Sequence, residues 1–254
     1  MEEPAEPGRW WSTRDERREE RRRRREERRA ERGARRSGRG SLTVERIADA
    51  ALAIVDEEGL DALTLRRLAA VLGVGATTIY WYVRDKNELL DLARDRMVAE
   101  VRVLPSAEGW RPQADAFARG LRATLLRHAN AAAIWGMRPA LGPNAVEIME
   151  RLLGAFKESG LSDDDAADAC VVLLNFIIGS ASWQNAQARP EDPTRAEQVE
   201  RARAYVAGLP SDRLPNLRRV GGRILGGDPE ARFELGLSAL LDGFAARVER
   251  TSAG

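Results

Sequence analysis

The sequence predicts an all-α protein, with a compact N-terminal module of three short helices followed by a larger helical domain. Three observations lead there. After Ser41 apolar residues recur at three- and four-residue spacing almost to the C-terminus. Successive stretches open on Thr, Ser, Asp or Pro and close on Gly or Pro, the punctuation of helix ends. No stretch shows a convincing alternation of apolar and polar residues, and no internal repeat is visible. At 254 residues and 43% apolar content, the chain suffices for one large and one small core.

Residues 1–40 come first, an Arg/Glu-rich arm that is expected to be disordered or transiently helical. Between residues 14 and 36 Ala30 and Ala34 are nearly the only apolar side chains, so the segment cannot join a core. Pairs such as Glu19–Arg23 and Glu20–Arg24 stand at i,i+4 and favour a solitary charged helix. Then Val44, Ile47, Ala48, Ala51, Leu52 and Val55 trace one face of a helix that Gly59 closes. Thr64 N-caps a helix over 65–72, Gly73-Val74-Gly75 makes a turn, and a short element over 76–83 carries Ile79 and Val83 on one side. Asp85 and Glu88 form a D-x-x-E capping box before a longer helix bearing Leu89, Leu92, Ala93, Met97 and Val101, which Pro105 stops. Four long helices follow over 112–128, 143–159, 163–188 and 229–250, with a short one over 131–136. The run 170–179 is apolar all round, so its helix is expected to be buried on more than one side and to serve a subunit contact. Residues 189–228 read as a mobile connection around a polar helical stretch at 194–206, with GGRILGG at 221–227 as a flexible joint.

Composition removes most enzyme chemistries. One cysteine, Cys170, and one histidine, His128, exclude an internal disulfide, Cys/His metal sites and Cys/His nucleophilic pairs. His128 sits at a helix end, where a cation suits the dipole. No run approaches 18 consecutive apolar residues and the first 30 positions are charged, so we expect no membrane span, no secretion signal and a cytoplasmic protein. Charge is balanced overall, 41 basic against 40 acidic groups, but unevenly distributed. Residues 1–40 hold fifteen Arg and ten acids, net +5, leaving 26 basic and 30 acidic groups in residues 41–254, net −4.

The elements over 64–83 have the spacing of a helix-turn-helix. Ala69 is small, as close crossing requires, and Val74 is an apolar plug for the turn. Ala76, Thr77 and Thr78 are short enough for the second helix to enter a major groove, where hydroxyls bond bases and methyl groups meet thymine. Tyr80, Trp81 and Tyr82 follow; three consecutive aromatics cannot all face inward, and a tyrosine hydroxyl donates well to phosphate. With these residues in place, the stretch 42–93, and TTIYWYVRDKNELLD within it, resembles the DNA-binding domain of the TetR family of transcriptional regulators. A weaker resemblance, to that family's tetracycline-repressor-like C-terminal subgroup, runs through 125–139, 175–187 and 231–244.

The resemblance implies a DNA-binding domain over 41–88 and a helical regulatory and dimerisation domain over 89–254. It implies base contacts by Arg66 and Thr78, with Thr64, Ala76, Thr77 and Trp81 in the same interface, and phosphate contacts by Tyr80, Tyr82 and Lys86. It also implies a homodimer on a double-stranded, near-palindromic operator, and a small-molecule inducer whose binding swings helix 86–101 like a pendulum. The subgroup's metal-holding His and Glu align here with Trp135 and Trp183, which ligate no metal. We therefore expect no metal, no cofactor and no catalytic residue, and an aromatic-lined pocket bounded by Phe117, Leu121, Trp135, Met137, Met149, Asn175, Ile178 and Trp183. Arg102 and Arg138 are available there for a polar group. The expected function is a repressor released by a small hydrophobic or aromatic inducer; the alternative is a constitutive regulator whose pocket the two indoles fill. Asp164-Asp165-Ala166-Ala167-Asp168 matches a D-D-x-x-D diphosphate motif, but no second acidic cluster opposes it. Ser162 as N-cap, with acids meeting the helix dipole, accounts for it better than a magnesium-dependent enzyme does.

Overall fold

In the computed structural model, which describes residues 42–102, 108–136, 142–188 and 193–252, every regular element is helical. The expectations for the arm and for Met137 and Arg138 lie outside the described residues. The chain divides into two compact units, residues 1–96 and 97–254.

The first unit begins where the hydroxyl of Thr43 accepts from Arg46 N at 3.3 Å and caps α1, Val44–Glu58. The inner strip of α1, Ile47, Ala48, Ala51, Leu52, Ile54 and Val55, is buried. After a single 3-10 turn, Leu60–Ala62, come α2, Leu65–Leu72, and α3, Ala76–Ile79, and then α4, Lys86–Val98, which runs across the boundary between the units. α1 packs on α2 and α2 on α3. Leu63, Leu68, Ile79, Val83, Leu89 and Ala93 complete this core, each large aliphatic contributing about 1.5–3 kcal/mol by burial.

In the second unit α5, Trp110–Arg127, packs against α6, Pro143–Glu158, and α7, Asp163–Ala188, with a 3-10 segment, Ala131–Gly136, on α5 and α7. The last helix, α10, Pro229–Ser252, lies on α5 and α7. Three ion pairs fix its register on α5: Arg111 with Asp242 (2.5 Å), Arg119 with Glu234, and Arg122 with Glu230 (2.7 Å). Numbers rise on one helix as they fall on the other, so the two run antiparallel. Gly236 admits the ring of Phe176, which stacks on Phe233 with centroids 5.4 Å apart. A Cβ on Gly236 would stand 2.5 Å from that ring.

One expectation is corrected. The connection at 189–228 contains a second helix: α8, Pro193–Ala207, packs on α9, Pro215–Gly226, and α9 passes through most of the glycine-rich stretch expected to be a joint. Gly221 is buried there against Val206, a contact closer than any side chain at 221 allows, so the glycine serves packing rather than bending. Within a single chain the apolar run in α7 is buried on one side only. Ala166, Ala169, Cys170, Leu173, Ile177 and Ala181 face inward, while Val171 and Val172 are 54% and 43% exposed. By length and composition α7 is apolar enough to cross a membrane, yet it packs on α5, α6 and α10.

Candidate nucleic-acid interface

The hydroxyl of Thr64 accepts from Arg67 N at 3.0 Å and starts α2. Gly73 ends it in the left-handed region, φ 66°. Its N–H donates to Ala70 O (3.2 Å) and that of Val74 to Ala69 O (3.0 Å), the paired bonds of a Schellman motif, so the turn closes on the helix it leaves. Only a residue without a Cβ holds that conformation without strain. The chain re-enters helix at Ala76, and hydrogen bonds from Tyr80, Trp81, Tyr82 and Val83 back to Ala76, Thr78 and Ile79 carry the winding to Val83. Ile79 and Val83 are buried and anchor this segment from beneath. Thr77 is therefore turned out and exposed, Ala76 and Thr78 are half-buried, and Tyr80 is 58% exposed, while Trp81 and Tyr82 are half-buried.

The two adjacent arginines of α2 have different duties. Arg67 meets the carboxylate of Glu58 with hydrogen bonds of 2.6 to 3.0 Å, a bidentate clamp joining the end of α1 to α2. The clamp holds the Glu58 carboxyl below its ordinary range, first through the hydrogen bond and then through the opposite charge. Arg66 is exposed and pairs with no described residue.

At the start of α4, Glu88 N donates to Asp85 Oδ1 (3.0 Å) and Arg84 N to Glu88 Oε2 (2.7 Å), a capping box. Lys86 stands first in the helix, where a cation opposes the dipole unless an anion is near. It too lacks a described partner.

The unit as a whole holds seven basic and ten acidic residues between 42 and 96, net −3, but not one acid lies from 62 to 84. Several of those acids are already engaged, Glu58 with Arg67, Asp49 with Arg96, Asp91 with Arg94, and Asp85 and Glu88 with the α4 cap. The exposed face of α2 and α3 thus presents hydroxyls, a phenol and a guanidinium from a stretch without a carboxylate, and the Lys86 ammonium follows it beside Asp85 and Glu88, which are engaged in the α4 cap. Donors in this arrangement suit a polyanion carrying acceptors at its base edges. Tyr82 is the exception. Its hydroxyl donates to Leu42 O at 2.9 Å, so the phosphate role expected for it competes with a bond inside the chain.

The residues expected around a ligand are not all brought together. Phe117 and Leu121 are buried on α5, and Met149 and Ile178 are half-buried on α6 and α7. Trp135 is half-buried, and its indole Nε1 is buried without a hydrogen-bond partner among the described residues. Asn175 and Trp183 instead lie on the outward strip of α7, Trp183 at 65% exposure, because the inward phase belongs to Cys170, Leu173 and Ile177. Trp183 therefore fills nothing within one chain. Arg102 is exposed. The D-D-x-x-D acids open α7: Asp165 N donates to the Ser162 hydroxyl (3.1 Å), and Arg247 holds the Asp165 carboxyl below its usual range. Among the described residues no three His, Cys, Asp or Glu side chains are grouped to hold a metal.

Sequence reasoning missed Arg122. It is 5% exposed, donates to Glu230 Oε2 (2.7 Å) and Gln184 Oε1 (2.6 Å), and lies 4.3 Å above the Phe233 ring. The available signal was its position: it shares the apolar face of Ala118, Leu121 and Leu125, where a guanidinium needs buried partners.

Comparison with known proteins gives two family matches, the tetR family of bacterial regulatory proteins over residues 36–93 and the tetracyclin repressor-like C-terminal domain over residues 104–248. An HTH-type transcriptional regulator of Saccharopolyspora erythraea is 35% identical over 209 residues, 81% of this chain and 85% of that protein. The HTH-type transcriptional repressor DrrR1 of Streptomyces coeruleorubidus is 35% identical over 214 residues, 82% of this chain and 79% of its own. Among solved structures, apo ActR of Streptomyces coelicolor superposes with a TM-score of 0.75 at 36% identity, covering 83% of this chain and 98% of ActR. ActR has also been solved with (S)-DNPA and with actinorhodin.

Proposed function

The chain belongs to the TetR family of helix-turn-helix transcriptional regulators, and from that premise we propose a homodimeric repressor that leaves its operator when a small aromatic molecule binds. Residues 41–88 read DNA, and residues 89–254 dimerise and sense the ligand. One observation carries the DNA part: no acid lies from 62 to 84, and with Leu68, Ile79 and Val83 buried beneath it this stretch leaves Arg66, Thr77 and Tyr80 exposed. Arg66 takes a guanine edge, Thr77 and Thr78 meet bases or thymine methyls beside Ala76, and Thr64, Tyr80, Trp81 and Lys86 hold the backbone. Two copies reach successive major grooves about 34–36 Å apart.

The outward strip of α7, with Val171, Val172 and Gly179, and the exposed Leu235 of α10 form an apolar surface suited to a second copy. Asn175 and Trp183 share that strip and in this reading belong to the dimer contact. Ligand response is supported by the buried indole N–H of Trp135, which has no partner among the described residues, and by the ligand complexes of ActR. The outward turn of Trp183 argues against a plugged, constitutive form. Ligand binding favours a conformer of α4 that spaces the two reading heads wrongly. The protein acts in the cytoplasm, where its DNA is.

The test is a titration of the purified full chain against the DNA upstream of its own gene and against a scrambled duplex of equal length. A preference of 100-fold or more is expected; equal binding overturns the regulator. Release of the bound fragment is then scored with a panel of small aromatic compounds together with actinorhodin. Failure of every compound removes the ligand response and leaves the DNA reading standing.

A further inference from the structure

The winding of α4 runs on past Val98, where Glu100 N donates to Met97 O (3.1 Å) and Val101 N to Val98 O (2.9 Å). This end of the helix is seated in the second unit. Met97, Val98 and Val101 are buried, and Val101 lies over Gly120 of α5, where a Cβ would stand 3.3 Å from its Cγ1. Glu100 meets the far end of α5: its Oε2 accepts from Arg127 Nη1 and stands 3.2 Å from Nε2 of His128.

His128 is a fixed post for that carboxylate. Its backbone N–H donates to Thr124 O (2.9 Å), closing α5, and its carbonyl accepts from Ala132 N (2.8 Å) where the 3-10 segment begins. The side chain is buried. It is also the single histidine of the chain, and histidine is the side chain whose charge changes between pH 5 and 8. In the cation both ring nitrogens carry protons, so Nε2 donates to Glu100 in a charge-assisted bond, roughly twice as strong as a neutral one. A cation there also suits the C-terminal dipole of α5.

The charged groups around this post leave Glu100 as its carboxylate. Arg127, on the same helix and the same Glu100 oxygen, opposes a second cation, but it is the more exposed of the two and solvent screens it. Arg102, beyond Glu100, is exposed, and its backbone lies beside Gly120. The 3-10 segment carries no charged residue. The end of α7 brings Gln184 to Arg122 and Asn185 to Leu125 O (3.0 Å), both uncharged. In the opening turns of α6 and α10, Glu147 is paired with Arg151 (2.6 Å) and Glu230 with Arg122 (2.7 Å).

We propose that Glu100 and His128 form a proton-sensitive latch, in which Glu100 positions the end of α4 on α5 and protonation of His128 tightens the hold. The inference rests on the proposed swing of α4 and adds a second input to it. Hydrogen ion concentration then biases the same equilibrium that a ligand biases, because a proton bound more tightly in one conformer shifts the population toward it.

The test uses the full chain as native protein, His128→Gln, Glu100→Gln and the double variant. Affinity for the DNA upstream of its own gene is measured by fluorescence anisotropy from about pH 5.5 to 7.5 at constant ionic strength. Native affinity should change by about fivefold or more across this range, the low end of coupling between linked sites, and all three variants should give flat profiles. The sign of the change identifies the conformer that the latch holds. A flat native profile overturns the latch, and so does a single variant whose profile is as steep as the native one. A variant that alters affinity by one factor at every pH marks a merely structural contact, which also overturns it. Glutamine keeps a polar side chain at both positions, thermal melting at pH 7.5 checks that each variant is folded, and either single variant carries the test if the other fails that check. A native chain that shows no preference over a scrambled duplex at any pH instead refutes the underlying DNA reading, whereas promoter preference with a flat profile refutes the latch alone.

Discussion

Arg66 and Arg67 are neighbours with the same chemistry, and the structure predicts opposite consequences for removing them. Arg66→Ala deletes an exposed side chain that no described residue engages, so thermal stability should stay within about 0.5 kcal/mol of native. Its loss falls on DNA. A bidentate guanine contact is worth about 1–3 kcal/mol of discrimination, and a dimer loses two, so operator affinity should fall by about 30-fold to 10⁴-fold while the scrambled duplex weakens far less. Arg67→Ala breaks the Glu58 clamp between α1 and α2. Both groups are part-exposed, so the cost is modest, a Tm loss of about 1–4 °C, and base preference survives. The Glu58 carboxyl is held low in the folded chain, so the clamp stabilises above the ordinary carboxylate pKa and fades as pH falls through the lowered value. The Tm gap between native and Arg67→Ala should therefore close in acid. The assay pairs thermal denaturation at pH 7 and pH 3.5 with anisotropy on both duplexes. If Arg67→Ala loses operator preference as Arg66→Ala does, with no Tm change, the assignment of the two roles is refuted.

Other consequences follow from the second unit. Gly236→Ala should lower Tm by several degrees, because the added methyl meets the Phe176 ring held against Phe233, and overpacking of this kind costs about 1–3 kcal/mol; an unchanged melting curve would show that the ring yields freely. Arg119 and Arg111 hold Glu234 and Asp242 below the usual carboxylate range. Stability from these pairs is present above that range and drains away as pH falls through the lowered values, so Glu234→Gln with Asp242→Asn should flatten the acid limb of Tm against pH. Burial pushes the Cys170 thiol up to about 12, so a thiol reagent at pH 8 should label it only as fast as the protein opens, and rapid labelling of native protein would contradict its place in the core.

Much of the fold was written in short-range chemistry. Thr64, Gly73, Ser162 and the Asp85/Glu88 box mark helix ends because their effects are local, a side chain bonding a backbone three residues away. Ile79 and Val83 likewise set the phase of the reading segment. What the sequence conceals is longer in range. Nothing local separates Arg66 from Arg67, since the distinction is made by Glu58 nine residues back. The run 170–179 is apolar at every phase, so only packing decides that Cys170 turns in and Val171 out, and Trp183 follows the outward phase within one chain. Gly221 and Gly222 suggest a joint until Val206 is seen against the first of them. Met137 and Arg138 stay expectations of the ligand site.

The three ion pairs between α5 and α10 have a mechanical consequence. Each rung joins residues whose numbers give nearly the same sum, so a slip of one helical turn would uncouple all three together. Sliding is thus opposed by all three pairs at once, while tilting about the row of rungs is not. A push on one end of α5 would then be passed to α10 more readily as tilt than as creep along the axis.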